Sequence, residues 1–80
     1  MWIRSQDKEM LIKAVCIYLG GENHEDCICA SSAEGNRWYI GEYSTREKAL
    51  KVLDGIEIAI RDPLLLYSRV FSMPQDDEVE

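Results

Sequence analysis

The sequence lacks the features that identify several classes of protein. No apolar run reaches the ~18 residues that a membrane-spanning helix needs, and the first ten residues are too polar for a signal peptide. We therefore expect a cytoplasmic protein. The single histidine and the absence of paired carboxylates or a phosphate-binding glycine loop predict a protein that is not an enzyme. Three cysteines, an odd number, argue against a disulfide framework.

The chain also lacks an excess of basic residues. Its formal net charge is −6, from 15 acidic and 9 basic residues, and four of the acids stand at positions 76, 77, 78 and 80. The other 11 acids face 9 bases, so residues 1–75 carry a net charge of only −2. Direct nucleic-acid binding is therefore not expected, because it needs a basic surface. We predict a single domain over residues 1–74 and, because like charges repel, an open acidic tail over residues 75–80. The alternative is that this tail plugs a basic site on a partner.

What the chain does contain is one clearly marked helix. Ser44 and Glu47 form a Ser-x-x-Glu capping box, which predicts a helix start, and Pro63 limits the helix at its far end. Gly55 in the interior costs ~1 kcal/mol relative to alanine, which suggests close packing there. Apolar residues recur with a period of 3.6. The pattern predicts a helix from Thr45 to Arg61 with an apolar face of Ala49, Leu50, Val52, Leu53, Ile56, Ala59 and Ile60.

The other apolar segments favour strands, because they are rich in β-branched and aromatic residues. Residues 10–19 also fit a helical period, but their Gly-Gly ending and strand-like neighbours favour a strand. Gly41 indicates a bulge or a close backbone approach. We predict an α+β fold, with a twisted antiparallel sheet of four to five strands and one amphipathic helix packed on it. The candidate strands are residues 2–5, 10–19, 27–32, 37–43 and 67–73.

Three blocks of residues carry a resemblance to a known family. They are the opening MWIRSQDK, the block GEYST with EKAL and VLD over residues 41–54, and VF with MP over residues 70–74. Together they make the chain similar to a family of small proteins from phages and prophages of Gram-positive bacteria. The resemblance implies an antiparallel sheet with one helix, an origin in a mobile element and action within a host bacterial cell. It implies no particular activity.

Six residues form a candidate site for a small anionic ligand such as a nucleotide. An aromatic ring can stack on a base, while an arginine binds phosphate through two hydrogen bonds. The free N–H groups at a helix start also favour an anion. The alternative is that the tryptophans belong to the core or an interface and that the arginines are surface charges. The six residues are Trp2, Arg4, Gln6, Arg37, Trp38 and Arg46.

Four apolar residues are candidates for an interface. An 80-residue chain has a small core, and association with a second copy would bury further apolar surface. We therefore expect a homo-oligomer. The alternative partner is a host protein, such as a nuclease of a defence system, that this acidic chain inhibits. The candidate interface residues are Ile58, Leu65, Tyr67 and Phe71.

His24 with Cys16, Cys27 and Cys29 is the one metal-like set in the sequence. Zinc prefers sulfur and imidazole ligands, but the spacing His-x2-Cys-x-Cys is not that of a usual zinc motif. Free cysteines more often pack as small apolar residues, so we expect no metal and no other cofactor. The function predicted is binding. The chain would be a phage accessory protein that antagonises host antiviral defence by sequestering an anionic, nucleotide-type ligand, or alternatively by inhibiting a host protein. A third alternative is a small metal-binding module that uses His24 and the cysteines.

Overall fold

In a computed structural model, the described residues are 1–21, 23–61 and 70–79. Within these ranges the chain forms one α-helix packed on two small sheets, so the predicted α+β class is confirmed. The helix, α1, spans Arg46–Arg61 and agrees with the predicted bounds to one residue. The strands are β1 (Trp2–Arg4), β2 (Leu11–Lys13), β3 (Cys16–Leu19), β4 (Cys27–Ser31), β5 (Arg37–Glu42) and β6 (Val70–Ser72), and a short 3-10 turn follows at Asp76–Glu78.

The strands divide between two sheets of three, whereas the sequence led us to expect one antiparallel sheet. The first sheet has the order β2-β1-β6, in which β1 is antiparallel to β2 and parallel to β6. The second has the order β3-β4-β5 and is antiparallel throughout. Residues 10–19 are extended, as predicted, but they supply one strand to each sheet. The change occurs where Ala14 donates its N–H to Met1 O (2.8 Å) and Val15 donates to Ser31 O (2.9 Å).

The β4–β5 hairpin contains the irregularity predicted at Gly41. Its register shifts between Ile28 and Cys29, since Ile28 faces Gly41 whereas Cys29 faces Tyr39. A Cβ atom at Gly41 would lie 3.0 Å from the ring of Tyr43 and 3.1 Å from the methyl group of Met73. Gly41 therefore marks both a bulge and a close approach of side chains to the backbone.

The start of α1 differs in detail from the predicted capping box. Thr45 is the N-cap, because its Oγ1 accepts the N–H of Lys48 at 3.1 Å. Ser44 instead donates its own N–H to the carboxylate of Asp76 at 2.7 Å. The predicted N-cap, Ser44, is therefore wrong by one residue; threonine fills the same role as serine at this position. The buried face of α1 consists of Ala49, Val52, Ile56 and Ala59.

One core lies between the helix and the two sheets. Isoleucines and alanines dominate it, and the side chains of Tyr43 and Met73 close one end next to Gly41. Ser5 is the one polar residue buried with it among the described residues; its Oγ donates to Asp7 at 2.6 Å. The core residues are Ile3, Ile12, Ala14, Ile28, Ala30, Ile40, Tyr43, Ala49, Val52, Ile56 and Met73.

The acidic C-terminal residues pack on the domain, so the expectation of an open tail is wrong for residues 75–79. Gln75 donates its side-chain amide to Gln6 O at 2.7 Å. The Asp76 carboxylate accepts the Ser44 N–H and lies 3.5 Å from the Lys48 ammonium. The Ser44 hydrogen bond, reinforced by the Lys48 charge, lowers the pKa of Asp76. The repulsion between acids is offset here because one of them binds a helix start and a nearby cation.

Candidate functional site

The surface of the described chain has an apolar groove of about 1150 Å³. One wall is the second half of α1, from Leu53 to Ile60. The opposite walls come from the outer strand of each sheet, β3 and β6, together with the start of β1. We call this feature the α1 groove. Its apolar lining includes Trp2, Val15, Ile17, Ile60, Val70 and Phe71.

Exposed apolar side chains are concentrated in the α1 groove. The described chain has eight large hydrophobic side chains that are exposed, and five of them line the groove: Met1, Trp2, Val15, Ile60 and Val70. Trp2 is 41% exposed, Ile60 50% and Val15 64%. Single exposed apolar residues are ordinary, but a contiguous patch usually marks a contact surface. The grouping therefore points to a surface that a partner covers.

Local structure explains why these side chains point outward. In β1 the side chains alternate, so Ile3 enters the core while Trp2 and Arg4 face outward. On α1, Ile60 was expected on the core face but is half exposed, because Ala59 takes the buried position next to it. Gly55 also lines the groove, and no described atom lies within 4 Å of where its Cβ would be. Close packing inside the described fold therefore does not account for this glycine.

The charges at the groove are acidic. Asp54 and Glu57 on α1 belong to its lining, and both are exposed. Glu57 forms a salt bridge with Arg61 one helical turn later, at 2.8 Å. An exposed pair of this kind contributes little to stability. The groove therefore has an apolar floor and two carboxylates at its edge, of which Glu57 is already paired with Arg61. None of its described lining residues is basic, which disfavours an anion.

Gln6, one of the predicted ligand-binding residues, is occupied by the fold. Its side-chain oxygen accepts the Glu42 N–H at 2.8 Å, and its amide nitrogen donates to Glu42 O (3.0 Å) and Pro74 O (3.2 Å). Its backbone N–H also donates to Ile40 O at 2.8 Å. A glutamine amide has two donor hydrogens, and both are used. Gln6 joins the two sheets and the C-terminal segment.

The other predicted ligand-binding residues are distributed over the surface. Arg4 is exposed and donates from Nε to Lys8 O at 2.8 Å, and Arg46 is exposed at the first position of α1. Arg37 lies at the opposite end of β5 from the residue held by Gln6, which at ~3.3 Å per residue is ~16 Å away. Trp38 lines a separate cavity of about 630 Å³, whereas Trp2 lines the α1 groove. The structure therefore does not bring the six residues together.

The predicted interface residues have mixed positions. Ile58, which is not part of the predicted apolar face of α1, is 62% exposed. It does not belong to the lining of the α1 groove. Phe71 is partly buried and does line it. Leu65 and Tyr67 lie outside the described residues.

The three cysteines differ in their exposure. Cys27 and Cys29 are buried in β4, which agrees with packing as small apolar residues, but Cys16 is exposed on β3. Burial, aided by the nearby Asp26, raises the pKa of Cys27 to about 11, and burial also raises the pKa of Cys29. His24 is exposed, with its ring 5.2 Å from that of Tyr39. Over the part of the chain that is described, no group of three or more potential ligands is placed to hold a metal.

The sequence reasoning missed most of the groove. It selected polar and aromatic residues as candidates, whereas the walls are formed by ordinary apolar residues such as Val15 and Val70. Nothing local distinguishes these from core residues. The available signals were Trp2, which shares the outward face of a short strand with Arg4, and Gly55, an unfavourable residue within a strong helix.

Comparison with family models, with curated proteins and with solved structures gives no match for this chain. Among the described residues, no helix is both long and apolar enough to cross a membrane.

Proposed function

We propose that this chain is a non-enzymatic accessory protein of a phage or prophage that acts by binding a host polypeptide in the α1 groove. The observation that carries the proposal is the grouping of five exposed apolar side chains along this one groove. The resemblance described above supports the mobile-element origin. Antagonism of host defence is the biological role that such an origin favours.

The chemistry of the groove favours a polypeptide over a nucleotide. Its walls are apolar, so they stabilise a bound side chain by removing it from water at ~25 cal/mol per Å². Asp54 and Glu57 at its edge would repel a phosphate and attract lysine or arginine. The formal net charge of −6 adds a weaker, long-range preference for a basic partner. The target is therefore expected to present apolar side chains flanked by basic ones.

The competing hypothesis of an anionic ligand has less support. It requires Gln6, whose amide is occupied, and arginines that lie on different parts of the surface. Calorimetric titration with cyclic and ADP-ribose-type nucleotides tests it directly. Binding tighter than ~10 μM (about −7 kcal/mol) would restore the nucleotide hypothesis and displace the groove as the functional site.

Two isoleucines on the same helix provide a matched experiment. Ile60 lines the groove and is 50% exposed, whereas Ile58 is 62% exposed and lies outside the lining. Ile60→Asp and Ile58→Asp make the same chemical change at similar exposure, so their effects on folding should be similar. Each tagged variant is used to capture proteins from lysate of a bacterial host, and the captured proteins are quantified by mass spectrometry.

The expected target is one retained by the wild type and by Ile58→Asp but lost with Ile60→Asp. Calorimetry with the purified target should then show at least a tenfold loss of affinity for Ile60→Asp, because a charge replaces an apolar contact. Equal loss in both variants, or equal retention, would show that the α1 groove is not the binding surface. Thermal unfolding of both variants checks that neither result reflects misfolding.

A further inference from the structure

We infer that the polypeptide bound in the α1 groove is an extended segment that adds a strand to the outer edge of β3, with which no described strand pairs. This inference rests on the proposed function and specifies the conformation and chemistry of the partner. It follows from the position of β3, which is an outer strand of its sheet and contributes Ile17 to the wall of the groove, close to Val15 just before the strand.

The hydrogen-bond pattern shows which backbone groups of β3 are available. Gly20 donates its N–H to Cys27 O at 2.9 Å, so the backbone N–H of Gly20 points toward β4. Hydrogen-bonded and non-hydrogen-bonded pairs alternate along an antiparallel ladder. The backbone groups of Tyr18, which pairs with Cys29, therefore also point toward β4. At the start of the strand the ladder is irregular, because Ser31 O accepts the N–H of Val15. The backbone N–H and C=O groups of Ile17 and Leu19, on either side of Tyr18, point away from β4.

The described chain has three other outer strands: β5 and β2 are protected, and β6 has only three residues, whereas β3 is longer and is not protected by a described residue. Gln6 covers the end of β5 by pairing its side-chain amide with the N–H and C=O of Glu42, as a neighbouring strand would. β2 has only three residues and includes Lys13, and a charge on a short strand discourages edge pairing. β3 has the uncharged sequence CIYL, with neither proline nor lysine. It is thus the edge best suited to main-chain pairing.

The groove also specifies the side chains of the added strand. In an extended segment, alternate side chains point to opposite faces. One set would enter the apolar space between β3 and the α1 wall formed by Ile56 and Ile60. Residues at the rim would meet the carboxylates of Asp54 and Glu57. The segment expected is extended, with alternating apolar residues and with lysine or arginine close by, which is the usual pattern of strand addition.

The test uses a nonapeptide of alternating valine and lysine, measured by calorimetry against the whole chain. Two further peptides carry N-methyl groups on alternate residues, one on the even and one on the odd positions. In an added strand, the donors of only one set face the protein edge. We expect one N-methylated peptide to lose at least tenfold in affinity while the other binds as the parent does. Hydrogen exchange should show slower exchange at the amides of Ile17 and Leu19 on binding.

The groove variants supply the protein-side control. Ile60→Asp should lose binding of the parent peptide, and Ile58→Asp should keep it. Equal binding by both N-methylated peptides would overturn strand addition, and so would no binding of any peptide at ~1 mM (weaker than about −4 kcal/mol). If a host protein is still captured in the Ile60-dependent manner, the proposed function stands and only the extended conformation is wrong. If, without peptide, the amides of Ile17 and Leu19 exchange more slowly as the protein concentration rises, a second copy of the chain occupies the edge. That result would also overturn the inference.

Discussion

Replacing Gln6 tests whether one amide holds the two sheets and the C-terminal segment together. Gln6→Ala removes three side-chain hydrogen bonds, two to Glu42 and one to Pro74. A hydrogen bond contributes ~0.5–1.5 kcal/mol net. Water can replace the two at Glu42, which are exposed, so we take the lower part of this range. The expected loss is ~2 kcal/mol, or about 10 °C in Tm for a domain of this size.

Gln6→Glu is a more specific test, because it removes the side-chain amide donor and keeps an acceptor oxygen. Its carboxylate can still accept the Glu42 N–H, but it would face the carbonyl oxygens of Glu42 and Pro74 in place of the amide donors. The folded state should therefore favour the protonated acid and raise the pKa of this new side chain above its ordinary ~4.3. Stability from the protonated form is present below pH ~4.3 and is lost as the pH rises through the raised folded value. At pH 7, Gln6→Glu should be less stable than Gln6→Ala.

Urea unfolding followed by tryptophan fluorescence at pH 4 and pH 7 measures both effects. Gln75→Ala is the graded control, since it removes a single hydrogen bond to the backbone of Gln6 and should cost less than Gln6→Ala. A free energy of unfolding for Gln6→Ala within ~0.5 kcal/mol of the wild type would refute the assigned role. Equal stability of Gln6→Glu at both pH values would refute the role assigned to the amide donor of Gln6.

Three further predictions concern other contacts. Asp76→Asn should lower Tm at pH 7, because the carboxylate that accepts the Ser44 N–H has a lowered pKa and so stabilises the folded state. The wild type should lose this stability as the pH falls below ~4, whereas the variant should not. Identical acid unfolding curves for the two proteins would contradict the contact. Gly41→Ala should destabilise the fold by ~1–3 kcal/mol, since the new methyl group would lie 3.0 Å from Tyr43; unchanged urea unfolding would show that the site can relax. A thiol reagent at pH 8 should label Cys16 rapidly and the two buried thiols only in urea, counted by intact mass; rapid labelling of all three would contradict the burial of β4.

The sequence predicted the elements that depend on local patterns. The helix limits follow from the apolar period and from Pro63, and the observed Arg46–Arg61 differs by one residue. The turn before β5 follows from Gly35, whose φ of 90° favours glycine. The predicted N-cap was wrong by one residue: Thr45 caps the helix, and the Ser44 N–H is bound by Asp76 from a distant part of the chain, a contact that no local pattern shows.

The division into two sheets could not be read from the sequence. Residues 10–19 form an apolar segment interrupted only by Lys13, and one lysine does not predict the change of partner at Ala14 and Val15. That change depends on hydrogen bonds to Met1 and Ser31, which are non-local. The α1 groove was missed for the same reason. It is a gap between elements, and its apolar residues look like core residues until the arrangement of the two sheets is known.

The parallel pair β1–β6 has a consequence for how the chain folds during synthesis. β1 is the central strand of its sheet, yet Trp2 pairs with Val70, and Gln6 contacts Pro74 across 68 positions. Contacts of such long sequence separation form slowly, because the intervening chain must first be closed into a loop. A ribosome must therefore deliver nearly the whole sequence before this sheet can form. Until then its apolar strands are exposed, so synthesis rate and chaperone supply should affect the yield of folded protein more than they would for a fold of local hairpins.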